Sequence, residues 1–208
     1  MCDEVPGLPE ELRLICPRSE IAARVAAMGA QIARDYEGKS PIFISVLRGA
    51  VIFLSDLVRA TPIPVRMDFM SISRYQAAEA TGVVRIVKDL ELNIHGEHVL
   101  VVEDIVDTGL TLNYLLTMLR ARGPASLKVA TLLDKSARRI VELPIDYVGL
   151  EIGDVFAVGY GLDVDEVYRN LPDLYAVKVP AGLMGNPEAY IRELMRAGGP
   201  IVPPTGVS

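Results

Sequence analysis

The chain has 208 residues, of which 50% are hydrophobic, and it carries a formal net charge of −6. The length suits one α/β domain with a sizeable core, and the acidic balance weighs against general nucleic-acid binding and favours a cytoplasmic protein. No uncharged apolar run of about 18 residues predicts a membrane helix, and the acidic N-terminus does not resemble a signal peptide. Cys2 and Cys16, the only cysteines, do not have the spacing of a zinc site.

The hydrophobic content also bears on assembly. A mean hydropathy of +0.31 is high for a monomer, so we expect some apolar surface to be buried in an oligomer. At the start of the chain, the pattern predicts a short strand near Leu12–Cys16. A helix follows, with Ser19 as its N-cap and Gly38 at its end.

A basic residue and a glycine then stand at a predicted strand-to-helix junction. Pro41–Leu47 predicts a buried strand, and the apolar spacing from Val51 predicts a helix. Arg48 and Gly49 lie between them, where the unpaired backbone N–H groups of a helix start favour an anion. Ordinary helix-start chemistry explains the same pattern, so these residues alone leave both interpretations open.

Residues 62–90 predict two strands joined by a long connection. Pro62–Met70 predicts a strand, because Val65, Met67 and Phe69 alternate with Arg66 and Asp68, and a second strand begins at Val83. Residues 71–82 are small and polar without periodicity, which predicts a loop. A loop of this length inside a compact domain is usually functional or disordered, and a long hairpin tip is the alternative.

The stretch VLVVEDIVDTGLTL, residues 99–112, carries the clearest chemical signal. Val99–Val102 predicts a strand buried on both faces, and Glu103 and Asp104 end it. Helical spacing begins at Leu112, so the preceding residues 107–111 would lie at a helix start, which suits a phosphate. Because carboxylates repel a phosphate, a sugar with vicinal hydroxyls or Mg²⁺ would have to lie between them. The stretch therefore predicts a binder of a phosphorylated sugar, with an ordinary polar βα turn as the alternative.

The remaining chain predicts further strands. The first of them, Leu127–Leu133, ends at Lys135, at the edge where open α/β sheets place ligands, although a lysine there is usually only solvated. Short strands are predicted at 147–152, 156–160 and 174–179. Residues 187–197 predict a short amphipathic helix.

Residues 99–112 resemble the phosphoribosyl pyrophosphate (PRPP) motif of the type I phosphoribosyltransferases, in which two acids after an apolar strand precede a Thr-Gly pair. Asp107 is similar to the hypoxanthine-guanine branch, and further matching segments cover most of residues 40–178. The resemblance implies an α/β fold with a mostly parallel open sheet and a small hood over the carboxyl ends of the strands. It implies a single domain over 1–208, with a core at about 19–165, a hood from about 1–18 and 166–196, and an extended or disordered tail at 197–208.

The resemblance also implies a role for each matching residue. Asp107 is the candidate acid/base at purine N7, and Leu47–Gly49 is similar to the family's pyrophosphate loop, where a non-proline cis peptide often occurs. PRPP and its phosphates would be bound by Arg48, Gly49, Glu103, Asp104, Asp107, Thr108, Gly109, Leu110, Thr111 and Arg169. Mg²⁺ would be held by Glu103, Asp104 and Asp163.

The purine and the lid complete the implied site. Lys135 would donate to the 6-oxo group, the Phe156 ring would stack on the base, and the Ala157 backbone and Asp163 would lie at its edge. Core packing is the simpler explanation for Phe156 taken alone. Ser73, Arg74 and Tyr75 resemble the flexible loop that closes over PRPP, although here an arginine splits the family's Ser-Tyr pair.

The implied activity is purine salvage: transfer of the 5-phosphoribosyl group from PRPP to N9 of hypoxanthine or guanine, giving IMP or GMP and pyrophosphate. The protein is expected to be a cytoplasmic homodimer or homotetramer without nucleic-acid or membrane partners. Xanthine remains open because it also carries a 6-oxo group, whereas Lys135 and Asp107 weigh against adenine. A regulator that senses PRPP or a nucleotide on the same fold is the other alternative, although neither a helix-turn-helix nor a basic stripe is visible.

Overall fold

The computed structural model describes residues 12–74, 84–164 and 166–177. Within this part of the chain, no helix has the length and apolar character needed to cross a membrane. The described residues form the α-helices α1 (Arg18–Asp35), α2 (Val51–Ala60) and α3 (Leu110–Arg120). The strands are β1 (Leu12–Cys16), β2 (Ile42–Val46), β3 (Arg66–Arg74), β4 (Val84–Lys88), β5 (His98–Val106), β6 (Ser126–Asp134), β7 (Tyr147–Glu151), β8 (Phe156–Val158) and β9 (Leu174–Val177).

A six-stranded sheet forms the larger of two compact units, residues 22–154. Its strand order is β4-β3-β2-β5-β6-β7, and every neighbouring pair is parallel except β3 with β4. Val99–Val102 of β5 are fully buried, as expected for a central strand covered on both faces. The helical stripe of α3 is buried with them, at Leu112, Leu115, Leu116 and Leu119. The predicted α/β fold with a mostly parallel sheet is confirmed.

The second unit contains the described residues among 12–21 and 155–177. Its three strands form an antiparallel sheet of order β1-β9-β8. Val158, Leu171 and Tyr175 are buried in a small core of its own. The proposed boundaries of core and hood stay a prediction.

Several predicted element boundaries were wrong. Helix α1 begins at Arg18, so Ser19 lies inside its first turn and is not the N-cap. The loop predicted from residue 71 begins later, since β3 continues through Arg74 by pairing with β4. Strand β5 likewise continues past its acids to Val106, because β6 offers pairing partners along that whole length. The predicted helix at 187–197 and the tail lie outside the described residues.

Candidate active site

The loop from β5 to α3 surrounds a cavity of about 310 Å³, lined by residues 103–109, 111 and 112. Gly109 caps α3 at φ 82°, in the left-handed region that favours glycine. A Cβ on Gly109 would lie 2.8 Å from Arg139 Cδ and 2.9 Å from Leu143 Cδ1. The first turn of any α-helix leaves backbone N–H groups without intrahelical partners, so this loop presents donors and a positive dipole end to the cavity. The arrangement is suited to a phosphate.

The Arg48–Gly49 loop meets the same place from the neighbouring strand. A Cβ on Gly49 would lie only 1.7 Å from Asp104 Oδ2, so no side chain fits there while the carboxylate keeps its position. The close approach follows from the parallel pairing of β2 with β5, whose carboxyl ends share one edge of the sheet. The peptide bond between Leu47 and Arg48 is cis. This confirms the cis peptide that the resemblance to the family's pyrophosphate loop predicts at this position.

The two neighbouring acids of β5, Glu103 and Asp104, are crowded. Removal of the Glu103 carboxyl from water, together with the like charge of Asp104, raises the pKa of Glu103 well above its usual range. Asp104 Oδ1 accepts a hydrogen bond of 2.8 Å from the backbone N–H of Ile105. A cation or sugar hydroxyls between these carboxylates would relieve the crowding.

Asp107 and Lys135 are brought together by the pairing of β5 with β6. The Lys135 backbone N–H donates to Val106 O at 2.9 Å, and Lys135 Nζ lies 3.8 Å from Asp107 Oδ2. Lys135 is only 7% exposed, and burial lowers its pKa, although Asp107 acts in the opposite direction. The residues predicted to exchange a proton with the purine and to bind its oxygen therefore adjoin each other.

The other predicted purine and phosphate contacts lie in the smaller unit. Phe156 is half-buried against the small core, and Ala157 is buried and pairs with Ala176 of β9. Asp163 Oδ1 lies 2.8 Å from Arg169 Nη2. The arginine also donates to a backbone carbonyl, that of Gly161, at 2.9 Å. Asp163 and Arg169 thus pair with each other.

The predicted lid is only partly within the described residues. Ser73 and Arg74 belong to β3 and pair with Arg85 and Val84 of β4. Tyr75 lies outside the described residues. A lid function for this segment stays a prediction.

Comparison with known proteins identifies the family. The family model described as "Phosphoribosyl transferase domain" matches residues 17–165. The chain belongs to the phosphoribosyltransferase family. It is 48% identical over 179 residues to a protein of Mycobacterium tuberculosis named hypoxanthine-guanine phosphoribosyltransferase, covering 80% of this chain and 89% of that relative.

Solved structures agree with this phosphoribosyltransferase assignment. A hypoxanthine-guanine phosphoribosyltransferase from Bacillus anthracis has a TM-score of 0.76 and 43% identity, covering 79% of this chain and 98% of the other. A variant hypoxanthine phosphoribosyltransferase from Trypanosoma cruzi, solved as a ternary substrates complex, has a TM-score of 0.77 and 42% identity. That match covers 81% of this chain and 97% of the other.

The acids of this phosphoribosyltransferase fit a magnesium ion that shares its ligands with a substrate. Among the described residues, no group of three His, Cys, Asp or Glu is arranged to hold a metal ion. Mg²⁺ is commonly bound by one or two carboxylates, with phosphate oxygens and waters completing the shell. Glu103 and Asp104 offer such a pair of carboxylates on the lining of the cavity beside α3.

Sequence reasoning missed the ion pairs that adjoin the predicted site residues Asp107 and Lys135. Arg138, three residues after Lys135, places Nε 3.0 Å from Asp107 Oδ1, and its Nη1 donates to Asp154 Oδ1 at 2.8 Å. A further ion pair joins Arg139 to the largely buried Asp134. The available signal was a pair of arginines directly after Lys135, at the edge of the sheet where ligands bind.

Proposed function

We propose that this phosphoribosyltransferase transfers the 5-phosphoribosyl group of PRPP to N9 of hypoxanthine or guanine, giving IMP or GMP and pyrophosphate in purine salvage. The placement of Asp107 beside the buried Lys135, next to a loop suited to a phosphate, carries the proposal. The names of the relatives in Mycobacterium and Bacillus support the same activity.

PRPP is proposed to bind along the edge formed by β2 and β5. Backbone N–H groups of the segment Asp107, Thr108, Gly109, Leu110 and Thr111 would hold the 5′-phosphate at the start of α3. Glu103 and Asp104 would accept hydrogen bonds from the ribose hydroxyls, directly or through a metal. Arg48, beside Gly49, would lie against the pyrophosphate, and Arg169 would add a second positive charge.

Mg²⁺ is proposed as the cofactor, held by Glu103 and Asp104 and approached by Asp163. When bound, the ion supplies positive charge that neutralises the departing pyrophosphate. The position of both carboxyls on the lining of the cavity supports this assignment, because a cation there would offset the repulsion between two like charges.

The purine is proposed to be recognised by charge and by proton transfer. As the bond from C1′ to pyrophosphate breaks and the bond from C1′ to N9 forms, Asp107 takes the proton from N7. The Lys135 ammonium donates to the 6-oxo group, whereas the 6-amino group of adenine presents a donor to the same cation. Phe156 is proposed to stack on the base, and the Ala157 backbone and Asp163 to contact its edge.

The proposal also includes a lid over the site, a cellular location and an oligomeric state. Ser73, Arg74 and Tyr75 are proposed to close over PRPP and exclude water, which would otherwise hydrolyse an oxocarbenium-like transition state. A homodimer or homotetramer is proposed from the hydrophobic composition and from exposed apolar side chains such as Leu110, which is 52% exposed, and Ile140, which is 68% exposed. A cytoplasmic location is proposed from the acidic charge balance. Light scattering of the purified protein tests the assembly.

A base-competition assay tests the activity. The protein is incubated with PRPP, Mg²⁺ and equal amounts of hypoxanthine, guanine, xanthine and adenine, and the four nucleotides are quantified. IMP and GMP in large excess over AMP are expected, and a dominant xanthine product would reassign the substrate. If PRPP binds but no nucleotide forms, the protein is a sensor and not an enzyme.

A matched pair of variants tests whether Lys135 recognises the 6-oxo group of the purine. Lys135→Met is expected to raise KM for hypoxanthine and to weaken discrimination against adenine, because the buried cation donor is lost. Lys128→Met removes the same charge from the other end of β6, about 23 Å away at 3.3 Å per residue, and is expected to keep the base preference. Equal base preferences in the two variants would remove Lys135 from recognition.

A further inference from the structure

Two cations approach Asp107 from the segment that follows β6. Lys135 Nζ lies 3.8 Å from Oδ2, and Arg138 Nε lies 3.0 Å from Oδ1. The guanidinium is itself anchored, since Arg138 Nη1 donates a hydrogen bond of 2.8 Å to Asp154 Oδ1. Each oxygen of the Asp107 carboxylate therefore faces a different cation, and one of these cations, Arg138, is itself bound to Asp154.

Backbone hydrogen bonds hold this geometry on both sides. The Lys135 N–H donates to Val106 O at 2.9 Å, and the Ile140 N–H donates to Thr108 O at 3.0 Å. These bonds flank Asp107 on one segment and Arg138 on the other. Arg138 also closes a short 3-10 turn, its N–H donating to Lys135 O at 2.9 Å. The approach of Arg138 to Asp107 is thus set by the fold and not only by a long flexible side chain.

The contact between Arg138 Nε and Asp107 Oδ1 is an ion pair and does not have the geometry of a hydrogen bond. Asp107 Oδ1 is a buried atom, yet within the described part of the chain it has no partner with hydrogen-bond geometry, so Arg138 attracts it as an ion. The side chains of Arg138 and Asp107 are 43% and 41% exposed, and ion pairs this exposed contribute little to folding stability. An anchored pair of small structural value at a reactive carboxylate points to a role in the reaction.

We propose that Arg138 is a positioning residue that fixes the Asp107 carboxylate while Lys135 is engaged by the purine. The inference rests on the proposed function. When the Lys135 ammonium donates to the 6-oxo group of the purine, its attraction to Asp107 Oδ2 is weakened, because one cation is then shared between two oxygens. Arg138, anchored on Asp154, faces the other oxygen of Asp107 and keeps the carboxylate aimed at N7. Misplacement of a catalytic group by about 1 Å is costly to the rate of an enzyme.

Steady-state kinetics with hypoxanthine and PRPP test the proposal. Arg138→Met is expected to lower kcat about tenfold and to leave KM for PRPP within about twofold, because only the aim of Asp107 changes. Arg138→Lys is expected to recover kcat only in part, since one ammonium cannot contact Asp107 and Asp154 as the guanidinium does. Arg120→Met is the control: it removes an equal charge at the far end of α3, about 15 Å along the helix, and kcat is expected to stay unchanged.

Two further readouts separate positioning from a structural role. In an Asp107→Asn background, Arg138→Met is expected to cause no additional loss of kcat, because its effect passes through Asp107. Arg138 also contributes to the lowered pKa of Lys135. Its removal is therefore expected to move the basic limb of the pH dependence of KM for hypoxanthine to higher pH.

The outcomes distinguish this inference from the proposed function. An active wild-type protein whose Arg138→Met variant keeps kcat, or loses it equally in the Asp107→Asn background, overturns the role of Arg138 and leaves the activity standing. A wild-type protein that forms no nucleotide overturns both. Arg138→Gln replaces the methionine variant if thermal unfolding shows that the latter does not fold.

Discussion

Replacement of Gly109 by alanine is the most direct probe of the proposed phosphate loop between β5 and α3. An alanine at φ 82° costs roughly 1–2 kcal/mol of backbone strain. Its Cβ would also lie 2.8 Å from Arg139 Cδ, 2.9 Å from Leu143 Cδ1 and 3.1 Å from Val141 Cγ2. Overpacking of this kind adds about 1–3 kcal/mol. We therefore expect Gly109→Ala to lower the free energy of unfolding by about 2–5 kcal/mol and to raise KM for PRPP.

Gly38 provides the matched control for this variant. It has φ 72°, close to that of Gly109, but none of the described residues places an atom within 4 Å of its added Cβ. Gly38→Ala should therefore carry only the backbone cost, roughly 1–2 kcal/mol, and should leave KM for PRPP unchanged. Urea unfolding and steady-state kinetics measure both effects. If the two variants lose equal stability and bind PRPP equally well, the crowding at Gly109 and its place in the phosphate site are both refuted.

Three other predictions concern single carboxylates. Asp107→Asn should lower kcat by about 10²-fold or more and change KM much less, and an unchanged kcat would exclude acid/base work by this residue. Asp68 is 5% exposed and accepts two hydrogen bonds of 2.8 Å from backbone N–H groups after β4. Urea unfolding should therefore show that Asp68→Ala lowers the free energy of unfolding by about 2–4 kcal/mol. The control variant Asp89→Ala, at an exposed position, should lower it by less than about 1 kcal/mol. The folded protein binds the proton of Glu103 more tightly than the unfolded chain does, because the pKa of Glu103 is raised in the folded state. The free energy of unfolding without ligand should therefore fall as the pH rises above 4.5 towards the raised pKa. Glu103→Gln should remove this pH dependence, and an unaltered dependence would contradict the assigned pKa direction.

The parts of the fold that depend on local spacing were predictable from the sequence. The apolar stripe of α3 and the buried run of β5 are period signals within one element, and the buried residues match them. Strand lengths were less predictable, because they depend on distant partners. Arg74 remains in β3 because Val84 lies opposite it, and Val106 remains in β5 because Asp134 lies opposite it.

The candidate site likewise has residues that local sequence predicts and residues whose contacts depend on distant strands. Asp107 and Gly109 belong to one continuous motif, so a single stretch of sequence predicted them together. Arg138 lies 31 positions after Asp107, and their contact depends on the register between β5 and β6 and on the turn that follows β6. No local pattern encodes that register, which is why the ion pair was visible only in three dimensions.

The sheet order explains why these distant residues meet. From β2 the chain adds β3 and β4 on one side, and it then returns to place β5, β6 and β7 on the other side. The order therefore reverses between β2 and β5, and loops that leave the carboxyl ends of two such strands turn away from each other and open a crevice. Gly49 after β2 and Asp104 in β5 meet at this crevice, and β6 brings Lys135 beside Asp107 one strand further along. The topology thus places the proposed phosphate-binding groups where the strand order reverses and the proposed base-recognising groups one strand further along, which is the order that transfer of the phosphoribosyl group from PRPP to N9 of a purine would need.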